Sequence, residues 1–243
     1  MEKVKIFEGF NNMKNNIVEM QNNTKEFFNN ATHELKTPLT AIRGYSQMLQ
    51  EEEFEDEFVL RALERVEEES IKMNKLVEKL LIISREEALV QVYPEEVNIN
   101  KMTKRIIDAF HNQIKDKGYN ICLEENTEIK SIAIKEDVES ILTNLIENSL
   151  KYSTTQNIDI KIGQYYSNSY FKILNGIGDI KDEIKDKLLE PFIKGANRRG
   201  EISSSGLGLY ICKRLCEKNN FKIEYSINRN VIEFIISFKK IKM

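Results

Sequence analysis

The sequence predicts an α+β protein in two parts: a helical hairpin that dimerises into a four-helix bundle, then an α/β sandwich. Three observations carry this prediction. Apolar residues recur at alternating steps of three and four through the N-terminal third. That pattern stops at Tyr93-Pro94, where proline disfavours helix at the residue before it. Beyond Pro94, helical and period-two stretches mix within one region, as they do in a sheet covered by helices.

The first helix runs over about residues 8–50, with Phe28, Ala31, Leu35, Pro38, Ile42, Tyr45 and Leu49 along its seam. The acidic turn Glu51–Glu57 leads into a second helix seamed by Val59, Leu63, Val66, Met73, Val77 and Leu80, with Ser70 filling one seam position. Two long helices with a narrow seam bury too little surface to stand alone, so a second copy is expected to complete the bundle. The hairpin domain is placed at residues 21–92 and the sandwich at 93–243. In the sandwich the period is helical near Asn100–Lys117, Glu136–Lys151 and Leu209–Glu217. It is two near Ile158–Ile162, Tyr170–Asn175, Phe221–Ile227 and Val231–Phe238.

Composition bounds the function. With 243 residues, 41% hydrophobic and 31% charged, the chain has room for one large domain or two small ones and is not a disordered polymer. A net charge of -3 gives no basic face for displacing counterions from phosphates, which sets nucleic acid aside. Cys122, Cys212 and Cys216 have no CxxC spacing, so neither zinc nor a disulfide framework is indicated, and a reduced cytoplasmic setting is expected. No run approaches the roughly 18–20 apolar residues of a membrane span, and Glu2 and Lys3 do not open a signal peptide. Membrane attachment is therefore expected only through a segment upstream of this chain.

Three groups of residues carry chemistry. His33 lies two positions from the seam residues Ala31 and Leu35, a rotation of roughly 200°, so its imidazole points away from the bundle. It opens the run His33-Glu34-Leu35-Lys36-Thr37-Pro38-Leu39-Thr40. A neutral imidazole nitrogen is a competent nucleophile, and a neighbouring carboxylate fixes its tautomer and stabilises the cation that forms. Pro38 removes a backbone donor and bends the helix below the site. In the second group, Asn144, Asn148 and Lys151 recur at helical spacing on one face, where amide oxygens and a cation suit a magnesium triphosphate. In the third, Ser204-Ser205-Gly206-Leu207-Gly208 runs into a helix whose start offers unpaired N–H groups and a positive dipole end to phosphate.

Over about residues 20–240 these motifs, in this order, closely resemble the sensor histidine kinases of two-component signalling, which join a phosphoacceptor hairpin to a Bergerat-type ATP-binding domain. The resemblance implies that His33 is phosphorylated from ATP and passes the phosphoryl group to an aspartate on a response regulator, with phosphatase activity toward that regulator. In it, Glu34 accepts or orients the imidazole proton and Thr37 positions water. Asn148 is the Mg²⁺ ligand, supported by Asn144, while Lys151 and Tyr152 contact the nucleotide. Gly206, Leu207 and Gly208 form the second glycine box. Glu190-Pro191-Phe192-Ile193-Lys194 resembles the phenylalanine box, with Lys194 where arginine is more usual. Arg198 and Arg199 fall in the expected nucleotide lid. Phe7–Met20, above all Phe10-Asn11-Asn12-Met13, resembles the end of a membrane-proximal signal relay, so residues 1–20 are assigned to a relay-helix remnant. His111 lacks such neighbours and reads as surface.

The chain departs from the family at the first glycine box, usually Asp-x-Gly-x-Gly with the aspartate accepting from the adenine amino group. Here the segment is Leu174-Asn175-Gly176-Ile177-Gly178-Asp179. Matching the glycines puts Leu174 at the acceptor position. Counting back from Phe192 puts Asn175 there, and this register is preferred because the other parity buries Lys172. A neutral amide is a weaker acceptor than a carboxylate. Three readings follow: an active protein-histidine kinase, a degenerate kinase serving as a docking module, and a hydrolytic ATPase of the wider superfamily. The last is disfavoured because those enzymes place a water-activating glutamate where Asn144 stands.

Overall fold

The computed structural model describes residues 2–51, 56–84, 93–165, 168–194 and 205–238. The chain separates into two units, Met1–Leu81 and Ile82–Met243.

The first unit is a pair of helices, α1 (Glu2–Glu51) and α2 (Asp56–Ser84). α1 runs on through Pro38, whose missing N–H and bulky ring ordinarily disrupt a helix interior. The buried apolar residues of this unit, among those described, are Ala31 and Pro38 on α1 and Ala62 and Leu76 on α2. The α2 seam differs from the expected one. Leu63 and Val77 are 51% and 40% exposed, whereas Ala62 and Leu76, one residue earlier, are buried. α2 carries two adjacent apolar stripes, and one residue is a rotation of only about 100°, so spacing alone does not choose between them. The outward stripe of α2 is Leu60, Leu63, Ile71, Val77 and Leu81, and on α1 Phe28, Leu39 and Met48 are exposed.

In the second unit a five-stranded sheet has the order β2-β4-β5-β7-β6, formed by β2 (Asn120–Glu125), β4 (Asn157–Tyr165), β5 (Asn168–Gly176), β7 (Val231–Phe238) and β6 (Lys222–Asn228). β2 runs parallel to β4 and the other pairs are antiparallel. A small second sheet pairs β1 (Glu95–Asn98) with β3 (Lys130–Ala133). Helices α3 (Ile99–Ala109), α5 (Lys135–Tyr152) and α7 (Gly208–Lys218) complete the core, with short α4 (His111–Asp116) and α6 (Asp182–Lys185) outside it. Alternation decides what is buried. Ile158, Ile160 and Ile162 of β4, Phe171 and Ile173 of β5, and Phe234 and Ile236 of β7 point inward, against Leu142, Leu145, Ile146 and Leu150 of α5 and Ile211 and Leu215 of α7. On the outer face Lys172 pairs with Glu233 at 3.0 Å.

Helix is expected without a break over Asn100–Lys117, but it is interrupted at Phe110 (φ -91, ψ 7) between α3 and α4. The Asn98 side chain caps α3 by accepting from the Lys101 N–H at 2.9 Å. Strands β1, β2 and β3 escape the period-two reading. β1 and β3 have four residues each, and β2 is a half-buried edge with only Ile121 and Leu123 facing in.

Candidate active site

His33 is exposed on α1, opposite buried Ala31 and Pro38. Glu34 is half-buried beside it, and Thr37, one turn on, is exposed. The Thr37 hydroxyl donates to the His33 carbonyl at 3.2 Å, and Thr40 donates likewise to Lys36 at 2.7 Å. Such back-bonding fixes a hydroxyl rotor on a helix and leaves its oxygen lone pairs facing outward. Around the bend-prone Pro38 the threonines thus add hydrogen bonds to a ladder that has lost a donor.

α5 positions the next set. Leu142, Leu145, Ile146, Ser149 and Leu150 are buried against the sheet, so the half-exposed stripe Asn144, Asn148, Lys151 and Tyr152 faces the other way. Asn144 Nδ2 donates to the Ser140 carbonyl at 2.8 Å, which turns its Oδ1 outward. The first residue of α7 sits on that oxygen: a Cβ on Gly208 would lie 3.0 Å from Asn144 Oδ1 and 3.8 Å from Asn148 Nδ2. The asparagine face and the glycine loop are therefore in direct apposition. The Lys151 ammonium lies 5.6 Å over the Tyr152 ring, a cation–π contact that holds the charge at the end of the helix. Terminal carbonyls there accept from Lys117 Nζ (to Leu150, 3.2 Å) and from the Tyr119 hydroxyl (to Ser153, 3.3 Å).

The loop into α7 is tightly specified. Phe192 has φ +62, rare for so bulky a residue, and its N–H donates to the Gly206 carbonyl at 2.9 Å. Gly206 has φ +68, and a Cβ there would lie 2.6 Å from the Phe192 carbonyl carbon, so both its conformation and its neighbour require glycine. The Leu207 side chain is fully buried, and its N–H donates to Ser205 Oγ at 3.4 Å. The N–H groups at the start of α7 have no acceptors within the helix, as at any helix N-terminus. Lys194 is exposed, Lys213 pairs with Glu190 at 3.0 Å, and Ser204, Arg198 and Arg199 lie outside the described residues.

β5 carries Phe171, Ile173 and Asn175 on its buried face and Lys172 and Leu174 on the other. Asn175 is 5% exposed, and its Nδ2 donates to the Gly176 carbonyl at 3.0 Å. That carbonyl also accepts the Thr154 N–H at 2.9 Å, while the Gly176 N–H donates to Thr155 Oγ1 at 3.3 Å. A Cβ on Gly176 would lie 2.5 Å from Thr155 Cγ2, so this glycine serves packing against the α5–β4 turn. At the far end of the helix pair, buried Asp137 holds Lys218 at 2.9 Å and Asn219 at 2.8 Å, and the Asn219 oxygen accepts the Ile134 N–H at 2.9 Å. Neither Thr154–Thr155 nor Asp137 is singled out by sequence. An acidic residue in the first turn of α5 and Lys-Asn closing α7 were the available signals for the second.

Comparison with known proteins agrees with this arrangement. Residues 24–89 match the His Kinase A (phospho-acceptor) domain, and residues 133–240 match the histidine kinase-, DNA gyrase B- and HSP90-like ATPase family. The sensor histidine kinase CssS of Bacillus subtilis is 27% identical over 230 residues, covering 94% of this chain and 49% of CssS. The histidine protein kinase SaeS of Staphylococcus aureus is 27% identical over 238 residues, covering 92% of this chain and 68% of SaeS. The chain thus spans about half the length of CssS. Among solved structures, histidine kinase ThkA in complex with the response regulator protein TrrA superimposes with a TM-score of 0.69 at 22% identity, covering 90% of this chain and 63% of that one. The Acinetobacter baumannii histidine kinase AdeS gives 0.66 at 23% identity, covering 85% and 96%. Both likenesses concern the fold.

Proposed function

The chain belongs to the sensor histidine kinases, and from that premise we propose that it uses ATP to phosphorylate its own His33 and then passes the phosphoryl group to an aspartate of a response regulator. The observation that carries this reading is the seating of Gly208 on the Asn144 and Asn148 amides, which joins an oxygen-rich helix face to an anion-attracting helix start. In the proposed roles the imidazole of His33 attacks the γ-phosphorus, and Glu34 takes or steadies its proton. Lys151 and the N–H groups at the start of α7 meet phosphate charge, and Tyr152 and Lys194 line the nucleotide. A Mg²⁺ ion neutralises charge on the phosphates when bound. The Asn148 amide oxygen is the hard donor that would hold it, and one such ligand suits an ion that keeps most of its waters and phosphate oxygens. Thr37, its proton already given to the helix, would receive a hydrogen bond from the water that removes phosphate from the regulator.

We assign the partners as a response regulator and a second copy, the latter meeting the outward apolar stripe of the hairpin. The domain join is placed at 92/93, with 1–20 as the relay helix of a longer, membrane-attached sensor and the described units on its cytoplasmic side. Asn175 in place of a carboxylate favours a second reading, a docking module without nucleotide turnover.

The test is incubation with Mg²⁺ and γ-labelled ATP, following acid-labile label on the native protein and on His33→Gln. Label on the native protein alone is expected. No label together with no ATP binding would promote the docking module.

A further inference from the structure

We propose that Thr155, on the turn between α5 and β4, is a positioning residue for nucleotide binding: its hydroxyl and methyl fix that turn against the end of β5, and so fix where Lys151 and Tyr152 stand. This rests on the ATP reading above and adds to it a residue that itself touches no nucleotide.

β4 and β5 pair as far as Ile158 and Asn175. At the next residue of β5, both backbone groups of Gly176 bond to the turn. Its carbonyl accepts the Thr154 N–H at 2.9 Å, and its N–H donates to Thr155 Oγ1 at 3.3 Å. A hydroxyl has one hydrogen, and that of Thr155 goes to the Asn157 carbonyl at 3.1 Å, so the oxygen meets the Gly176 N–H with a lone pair. Shape works alongside: a Cβ on Gly176 would lie 2.5 Å from Thr155 Cγ2 and 2.9 Å from its Oγ1. Turn and strand approach more closely than any side chain at position 176 allows.

The turn carries this fit to the end of α5. The Ser153 hydroxyl donates to the Thr155 carbonyl at 2.7 Å, and the Ser153 N–H extends the helix by donating to the Ser149 carbonyl at 2.9 Å. From the other side Lys117 and Tyr119 hold the Leu150 and Ser153 carbonyls. Lys151 and Tyr152 stand between those two carbonyls, so a displacement of Thr155 reaches them directly. Thr155 is itself exposed. Its contribution to stability is therefore small, which lets an effect on position be told from an effect on folding.

Lys151 and Tyr152 would meet the nucleotide before any bond changes. Misplacing them weakens ATP binding and leaves the phosphoryl step of the loaded protein as it was.

The experiment uses the intact protein and measures equilibrium binding of Mg²⁺–ATP together with the rate of His33 labelling at saturating ATP. Thr155→Val keeps the shape and deletes the hydroxyl, and should weaken ATP binding about fivefold, the size of one hydrogen bond, with the saturated rate unchanged. Thr155→Ser keeps the hydroxyl and should bind as the native protein does. Gly176→Ala drives a methyl into the turn and should weaken binding about tenfold. Adding Thr155→Ser to it opens room at Cγ2 and should restore most of that loss, a coupling that independent sites do not show. Native ATP affinity in Thr155→Val would overturn the inference, whatever its melting temperature. A Gly176→Ala penalty that is the same with and without Thr155→Ser would do so too. Absence of ATP binding by the native protein would overturn the functional reading and this inference together. Should a variant of one arm fail to fold, the other arm decides alone.

Discussion

The hairpin and the sandwich solve the same problem, removing apolar surface from water, to different degrees. The sandwich closes on itself: β4, β5 and β7 present unbroken rows of buried isoleucine and phenylalanine to α5 and α7. The hairpin buries two alanines, a proline and a leucine among its described residues and leaves Phe28, Leu39, Leu60, Leu63, Val77 and Leu81 in solvent. One unit carries its own core, whereas the other leaves an apolar stripe exposed, the surface that the proposed second copy would cover. If the proposed dimer forms, the stability of the hairpin depends on protein concentration and that of the sandwich does not.

The sharpest way to break this contrast is to charge the outward stripe. Leu63→Glu with Val77→Glu should abolish the proposed dimer, since each would leave an unpaired carboxylate at its interface at a cost of about 3–5 kcal/mol. Sedimentation would show a monomer, while the sandwich unfolds at its native temperature. Next in size, Leu145→Ala in the fully buried face of α5 should cost about 2–5 kcal/mol in a melting transition that does not move with protein concentration. Asp137→Ala strips the clamp on Lys218 and Asn219 and should lower the same transition by about 1.5–3 kcal/mol. ATP binding should weaken with it, because the clamp sets how α5 and α7 meet at Asn144 and Gly208.

The smallest effect is alkaline. Burial pushes the Cys216 thiol up to about 12, from 9.0. Between those values the folded state keeps a proton that the unfolded chain gives up, so this group lowers stability as pH rises through that window. Cys216→Ala should flatten the fall in melting temperature between pH 8 and pH 10. Cys122, exposed on β2, should take up a thiol reagent in the native state, and Cys212 and Cys216 only after unfolding.

Much of this was legible because it is local. Steps of three and four sustained from Phe28 to Leu80 can only be paired helices, and the asparagine stripe of α5 follows from i, i+4, i+7 spacing. The parity of β5 was legible from one residue, since Lys172 needs the outer face where Glu233 waits. What was not legible depends on distant neighbours or on ambiguous rotation. α2 has two apolar stripes one residue apart, and nothing within it says which meets α1. Gly176 reads as part of the atypical first glycine box, yet its constraint comes from Thr155, 21 residues away. The left-handed Phe192 contradicts every local preference of a bulky side chain and is fixed by Gly206.

The strand order has a consequence for how the sandwich comes into being. β7 lies between β5 and β6, and β2 waits for β4 across the whole of β3 and α5. Local pairings such as β4–β5 and β6–β7 close early, whereas joining them needs contacts between residues far apart in the chain, which form slowly. As the ribosome delivers the chain, β5 has one free edge until Val231–Phe238 emerge, after every residue of the proposed nucleotide crevice has already been made. The last strand synthesised among those described is thus the one that fuses the two hairpins into a sheet, and until it arrives Asn175 has no partner strand on that side.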